Sequence, residues 1–126
     1  MTLDEAHDLL RADLLAAAAA VVPGQEGLVT QDSGPIDPGA MFDGRGAATV
    51  CVVTVETGDP ARTDAGAEQV AAAARVLRDR GWQTDPPEYE SGHHRISAIR
   101  DGFEAAIHAW DGDWKVTLTG ETPLPR

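Results

Sequence analysis

The chain has 126 residues, 42% hydrophobic and 25% charged, which gives room for one buried core and excludes a disordered tail or a pair of domains. A formal net charge of −11 excludes nonspecific binding to nucleic acid or to an anionic membrane, since both reward positive charge. No apolar run is long enough to span a membrane, and Asp4, Glu5 and Asp8 stand where a secretory leader would be basic.

Thr2 and Glu5 form a capping box that starts a helix predicted over 3–21. Leu3, Leu10, Leu14 and Ala18 lie on or near one stripe of it, with Ala6, Leu9 and Ala17 beside them, and Pro23-Gly24 ends it. Residues 25–46 are rich in Gly, Pro and Asp and predict a long irregular loop, with room for a short edge strand near Leu28 to Thr30. Loops of this length inside a domain are often functional. Ala48 to Glu56 is the clearest strand, apolar on both faces at Val50, Cys51, Val52, Val53 and Val55. Cys51, the one cysteine, reads as a buried, inert thiol.

Asp59-Pro60 opens a second predicted helix, with Ala67, Val70, Ala71, Ala74 and Leu77 on one stripe and Gly81 as its stop. Trp82 to Tyr89 is extended but interrupted by Pro86-Pro87, which predicts an edge strand. Two Asp-Gly pairs follow, Asp101-Gly102 and Asp111-Gly112, each between runs that alternate apolar and polar residues. They predict two-residue type I′ turns and an antiparallel meander of strands 94–100, 103–110 and 114–119. The element order α-β-α-β-β-β-β predicts a single α+β domain over 1–126. Its antiparallel sheet has four to five strands and both helices packed on one face. Trp82, Phe103 and Trp114 would supply the bulk of the core.

Two-residue turns fix the register. Ile96 then faces Ile107 and Ala98 faces Ala105, while Ala109 faces Trp114, Ile107 faces Val116 and Ala105 faces Leu118. These apolar rows form the helix-covered side. The opposite face aligns Arg95, His108 and Lys115 in one row, flanked by His93, Trp110 and Asp113 and by Ser97, Ala106 and Thr117. Arg95 offers a fork, Lys115 a point charge and His108 a switchable donor, a set that suits a carboxylate or phosphate, with Trp110 as a stacking wall. The same mixture is also routine on a solvated sheet face.

Other residues carry less. His7 reads as a surface residue, and His93-His94 with Glu88 or Glu90 falls short of a metal site because neighbours on a strand point to opposite faces. Asp32, Asp37 and Asp43 lack the spacing of a calcium loop, and Gly44-Arg45-Gly46 is too short for a phosphate loop. No metal or other cofactor is implied.

The element order, the helix end Val76-Leu77-Arg78-Asp79-Arg80-Gly81-Trp82 and the terminal run Val116-Thr117-Leu118-Thr119-Gly120-Glu121-Thr122-Pro123 resemble a broad group of small, mostly uncharacterised actinobacterial proteins, many of them lipoproteins. The resemblance covers roughly the last two-thirds of the chain, at the level of pattern. It implies the fold and no activity. Exported members often carry a cysteine before the first strand and another after the last. Here those neighbourhoods, Gln31-Asp32-Ser33-Gly34 and Thr122-Pro123-Leu124-Pro125, have none. That departure favours a cytoplasmic protein over an exported one with its leader removed.

The expected function is a non-catalytic accessory or binding module whose acidic surface, long loop and open sheet face engage a protein or peptide partner. An added strand could pair at an edge near Pro86-Pro87 or at Trp114 to Thr119. The alternative is a small enzyme or a protein binding an anionic small molecule through Arg95, His108, Lys115, Trp110 and His93. A third expectation, an immunity or inhibitor protein for a basic toxin, rests on net charge.

Overall fold

The computed structural model of the chain describes residues 2–36 and 50–122. Thr2 caps helix α1 (Leu3–Val21) by accepting the Glu5 N–H at 3.1 Å, and its hydroxyl donates to the Glu5 carboxylate. Strands β1 (Leu28–Ile36) and β2 (Val50–Gly58) follow, then helix α2 (Gly66–Asp79). Five strands complete the chain order: β3 (Gln83–Thr84), β4 (Glu88–Glu90), β5 (His93–Arg100), β6 (Phe103–Trp110) and β7 (Lys115–Glu121).

All strand pairs are antiparallel, in the order β1-β2-β7-β6-β5-β3 with β4 also on β5. The fold is α+β with both helices on one face. The sheet has seven strands, which corrects the expected four to five. Two short strands and one long one account for the difference. Pro86 and Pro87 lack N–H donors and split the expected edge strand into β3 and β4, both paired to β5. The predicted loop over 25–46 contains all of β1, an edge strand whose register shifts near Thr30 and again between Ser33 and Ile36. The remainder of that loop, with Asp37, Asp43 and Gly44-Arg45-Gly46, lies outside the described residues, as do Ala48 and Thr49 of the expected strand. β7 sits between β2 and β6, so Trp114 to Thr119 offers no free edge, contrary to expectation.

The second helix starts later than Asp59-Pro60 suggests. The Asp59 carboxylate accepts the Ala61 N–H at 2.9 Å and its carbonyl the Arg62 N–H at 2.8 Å, closing a turn where the helix was expected to begin. α2 therefore buries Gly66, Gln69, Val70, Ala73, Ala74 and Leu77, while Ala67 of the predicted stripe is exposed. Gly66 is needed there: a Cβ would lie 2.7 Å from the His94 ring.

α1 lies over β2 and β7, α2 over β5 and β6. Small residues set the spacing, with Ala73 and Ala74 of α2 over the side carrying Ala98, Ala105 and Ala109, and Ala17 and Ala18 of α1 in the same core. A Cβ on Gly120 would come within 2.8 Å of the Leu10 side chain. Leu10, Leu14, Leu77, Ile107 and Leu118 are fully buried between the layers. Each contributes roughly 1.5–3 kcal/mol relative to an exposed side chain. Trp82 meets Phe103 edge-on at 6.1 Å, but Trp114 is 38% exposed and contributes little to the core.

One buried charge joins the layers. Asp13 of α1 is 1% exposed and accepts from Arg80 Nε at 2.5 Å, Trp82 Nε1 at 2.8 Å and Arg100 Nη1 at 3.4 Å. Arg100 also donates to the Arg80 carbonyl at 2.8 Å. Asp13→Ala would strand the buried indole N–H and take the buried carboxylate from two guanidinium groups, leaving Arg100 its contacts to the Arg80 carbonyl and Asp101. Because both arginines reach solvent, the expected loss is about 3 kcal/mol, near the lower end for a broken buried pair. Urea unfolding checks this against Asp8→Ala. A loss equal to that surface control would show that the cluster carries no stability.

Candidate functional site

The first Asp-Gly turn forms as its residues dictate. Asp101 and Gly102 have φ of 47° and 88°, the type I′ pattern, and Arg95 pairs with His108 and Ile96 with Ile107. The second does not. Asp111 keeps its N–H in the β5–β6 ladder, donating to the Gly92 carbonyl at 2.8 Å, and its carboxylate is held by Tyr89 Oη at 2.5 Å and His94 Nε2 at 2.7 Å. Only Gly112 takes positive φ, at 81°, and the Asp113 N–H bonds the Trp110 carbonyl at 3.1 Å, as in a type II turn. The Asp113 carboxylate then accepts the Lys115 N–H at 3.1 Å.

The connection is thereby two residues longer, and β7 slips by two against β6. Ile107 faces Leu118, Ala105 faces Gly120 and Ala109 faces Val116. A shift of two preserves which face each side chain takes, so the apolar side survives intact. The expected row does not survive. His108 faces Thr117, and Lys115 leaves the Arg95–His108 row and lies 5.8 Å from the centre of the Trp114 ring.

The uncovered face carries four rows. Beyond the row of His93 and Trp110 comes Arg95, His108, Thr117 and Glu56, then Ser97, Ala106, Thr119 and Thr54, then Ile99, Glu104, Glu121 and Val52. At the first end His93, His108 and Trp110 come together. His93 Nε2 and His108 Nδ1 are 2.8 Å apart, so one ring donates to the other. The three rings are nearly parallel, His93 lying 4.6 Å from Trp110 and 5.0 Å from His108. Burial, then His93, then Arg95 push the His108 pKa below its ordinary range. A neutral, half-buried imidazole beside an indole can accept a proton or stack a planar group.

The other end is acidic. Glu104 and Glu121 face each other directly, an opposition that like charges disfavour. A hydrogen bond to Glu104, with burial and the neighbouring charge, raises the Glu121 pKa. The expected register would set Glu104 against Thr119, so this pair was hidden until the slip was known. Between the ends a hollow of about 430 Å³ lies over Ala106, with Arg95, Ser97 and Thr119 on its lining.

Two further groups were also missed. Ser91 and Gly92, with φ of 52° and 84°, make another type I′ turn, which brings Tyr89 over His94 at 4.6 Å and sets both on Asp111. Tyr89, then His94, hold the Asp111 carboxyl below its usual range. Ser-Gly is the weak sequence signal that pointed to this turn. His7 is partly exposed and binds Asp32 of β1 at 2.5 Å. Among the described residues no three metal-ligating side chains converge, and no helix is long and apolar enough to cross a membrane. Comparison with protein-family models, curated proteins and solved structures finds no match to this chain.

The two histidine environments have opposite pH signatures. His108 has a folded pKa below 6.5, so its contribution to stability is full above that pH and is lost as pH falls through it. The Asp32 hydrogen bond raises His7 above 6.5, so its contribution is full below that pH and is lost as pH rises through the folded value. His7→Gln should destabilise more at about pH 5.5 than at about pH 8 in urea titrations, and an equal loss at both would refute the His7–Asp32 assignment. His93→Gln should move the His108 ring titration upward by NMR. An unmoved titration would mean that the two rings do not communicate.

Proposed function

We propose that the protein is a binding module with no catalytic role of its own, engaging a protein or peptide partner across the uncovered face of its sheet. The observation that carries this is the distribution of exposed large apolar residues. Of the five such residues among those described, Leu28, Ile99 and Trp110 are 66%, 54% and 42% exposed and lie on the face away from the helices by the strand register, while Tyr89 pairs with His94 on the helix side and Trp114 precedes β7. Polar side chains alone would suit a solvated face; large apolar ones among them favour contact with another molecule. The edge strands β1 and β3–β4 flank this face and can extend the contact by strand addition.

The His93–His108–Trp110 stack supports a second reading, capture of a small planar or anionic ligand with Arg95. It and the first reading share the surface and differ in the size of what is bound. The net charge of −11 favours a basic partner, in keeping with the first reading.

Photo-crosslinking in the native host separates the faces. A crosslinking amino acid at Ile99 or Trp110 should give one discrete protein adduct that weakens with salt, while the same group at Glu68 or Arg75 on exposed α2 should give none. Adducts from α2 alone, or from both faces alike, would overturn the proposal. A displaceable small molecule at Trp110 without a protein adduct would favour the second reading.

A further inference from the structure

We propose that the hollow between Arg95 and the Glu104–Glu121 pair receives the C-terminal arginine or lysine of the partner, the basic group between the two carboxyls and the chain-end carboxylate on Arg95. This rests on the outer face being the binding surface and specifies what that face recognises. The hollow of about 430 Å³ lies within the range of small-ligand sites, roughly 300–1,000 Å³. Its floor is low because Ala106 stands between Ser97 and Thr119, leaving a depression between the longer side chains of the adjoining rows.

The charges at its two ends are opposite: Arg95, faced by Glu88 across β4–β5, stands at one end and the two carboxyls at the other, with Asp85 also on the lining beside Ser97. Among the described residues Glu104 and Glu121 have no basic partner, and the residues beside them in the row are Ile99 and Val52, which offer walls and no countercharge. Two facing carboxyls present a cradle that an ammonium or guanidinium group can fill. Arg95 is exposed and makes no ion pair among the described residues. It lies four residues from Ile99 along β5, about 13 Å at the rise of an antiparallel strand. Glutamate and arginine side chains reaching in from each end leave roughly half of that length. An extended arginine or lysine spans about this distance from its basic group to its own carboxylate.

An internal basic residue would bring no carboxylate to Arg95, and an acidic or apolar chain end would bring no cation to the Glu104–Glu121 pair. The polarity of the hollow therefore selects a basic residue with a free carboxylate. Ser97 and Thr119 between the ends supply hydroxyls for the ligand's amide.

The probes are acetyl-glycyl-arginine, its C-terminal amide, and the citrulline analogue, which keeps the shape and lacks the charge. Backbone NMR titration should give saturable shifts at Ser97, Ala106 and Glu121 with the arginine acid. Citrulline should bind at least about ten-fold more weakly, and the amide should lose the part of the affinity that Arg95→Gln also removes. Glu121→Gln removes one of two opposed charges, so it should leave the fold as stable or more so while weakening the arginine peptide. Equal shifts with arginine and citrulline, or none by about 10 mM, would overturn the proposal. In that event the crosslinks from Ile99 and Trp110 show whether the binding face stands without this pocket or falls with it.

Discussion

The Asp13 carboxylate is the interaction on which the rest of the structure depends. The fold is two pieces: α1 with β1 and β2, and α2 with β3 to β6. All three donors to Asp13 come from the second piece: Arg80 and Trp82 just past α2, and Arg100 from the end of β5. A carboxylate buried this deeply is tolerable only with its oxygens filled by charge-assisted donors. Their directions in turn hold α1 beside α2. Once both helices share one face, the other face is left bare, and that bare face is where every candidate site lies.

A shift of two residues decides the character of that face. In the simplest register the face would be a cationic row for an anion. With Asp111 tied to Tyr89 and His94, the connection lengthens, Lys115 departs from the row, and Glu121 arrives opposite Glu104. The face becomes polarised, with imidazole, indole and guanidinium at one end and paired carboxyls at the other. A contact between a turn and a neighbouring hairpin thus sets the chemistry of a surface more than one strand away.

The capping box, the existence of both helices, the helix-facing sides of β5 and β6 and the first Asp-Gly turn were legible in the sequence, because each is set by residues close in the chain or by the period of two along a strand. His93, Arg95, His108 and Trp110 were placed correctly on the outer face for the same reason. What was hidden depends on distant partners. Asp13 looks like a solvent-facing helix residue until Arg80, Trp82 and Arg100 are brought to it. Asp111-Gly112 carries the same signal as Asp101-Gly102 and differs only in what grips its side chain. β1 passes for a loop because Gly34 and Pro35 fall within it, near the register shift that an edge strand tolerates.

The position of β7 governs the order in which the molecule can be assembled. Its partner β2 covers residues 50–58 while β7 covers 115–121, so the middle of the sheet closes only through a long-range pairing. During synthesis the two pieces emerge in turn, each with a raw hydrogen-bonding edge on β2 or β6 where β7 belongs. Until that strand leaves the ribosome, those edges are open to any other extended chain. The strand that completes the uncovered face is also the one that closes these two inner edges, leaving only β1 and β3–β4 as edges of the described sheet.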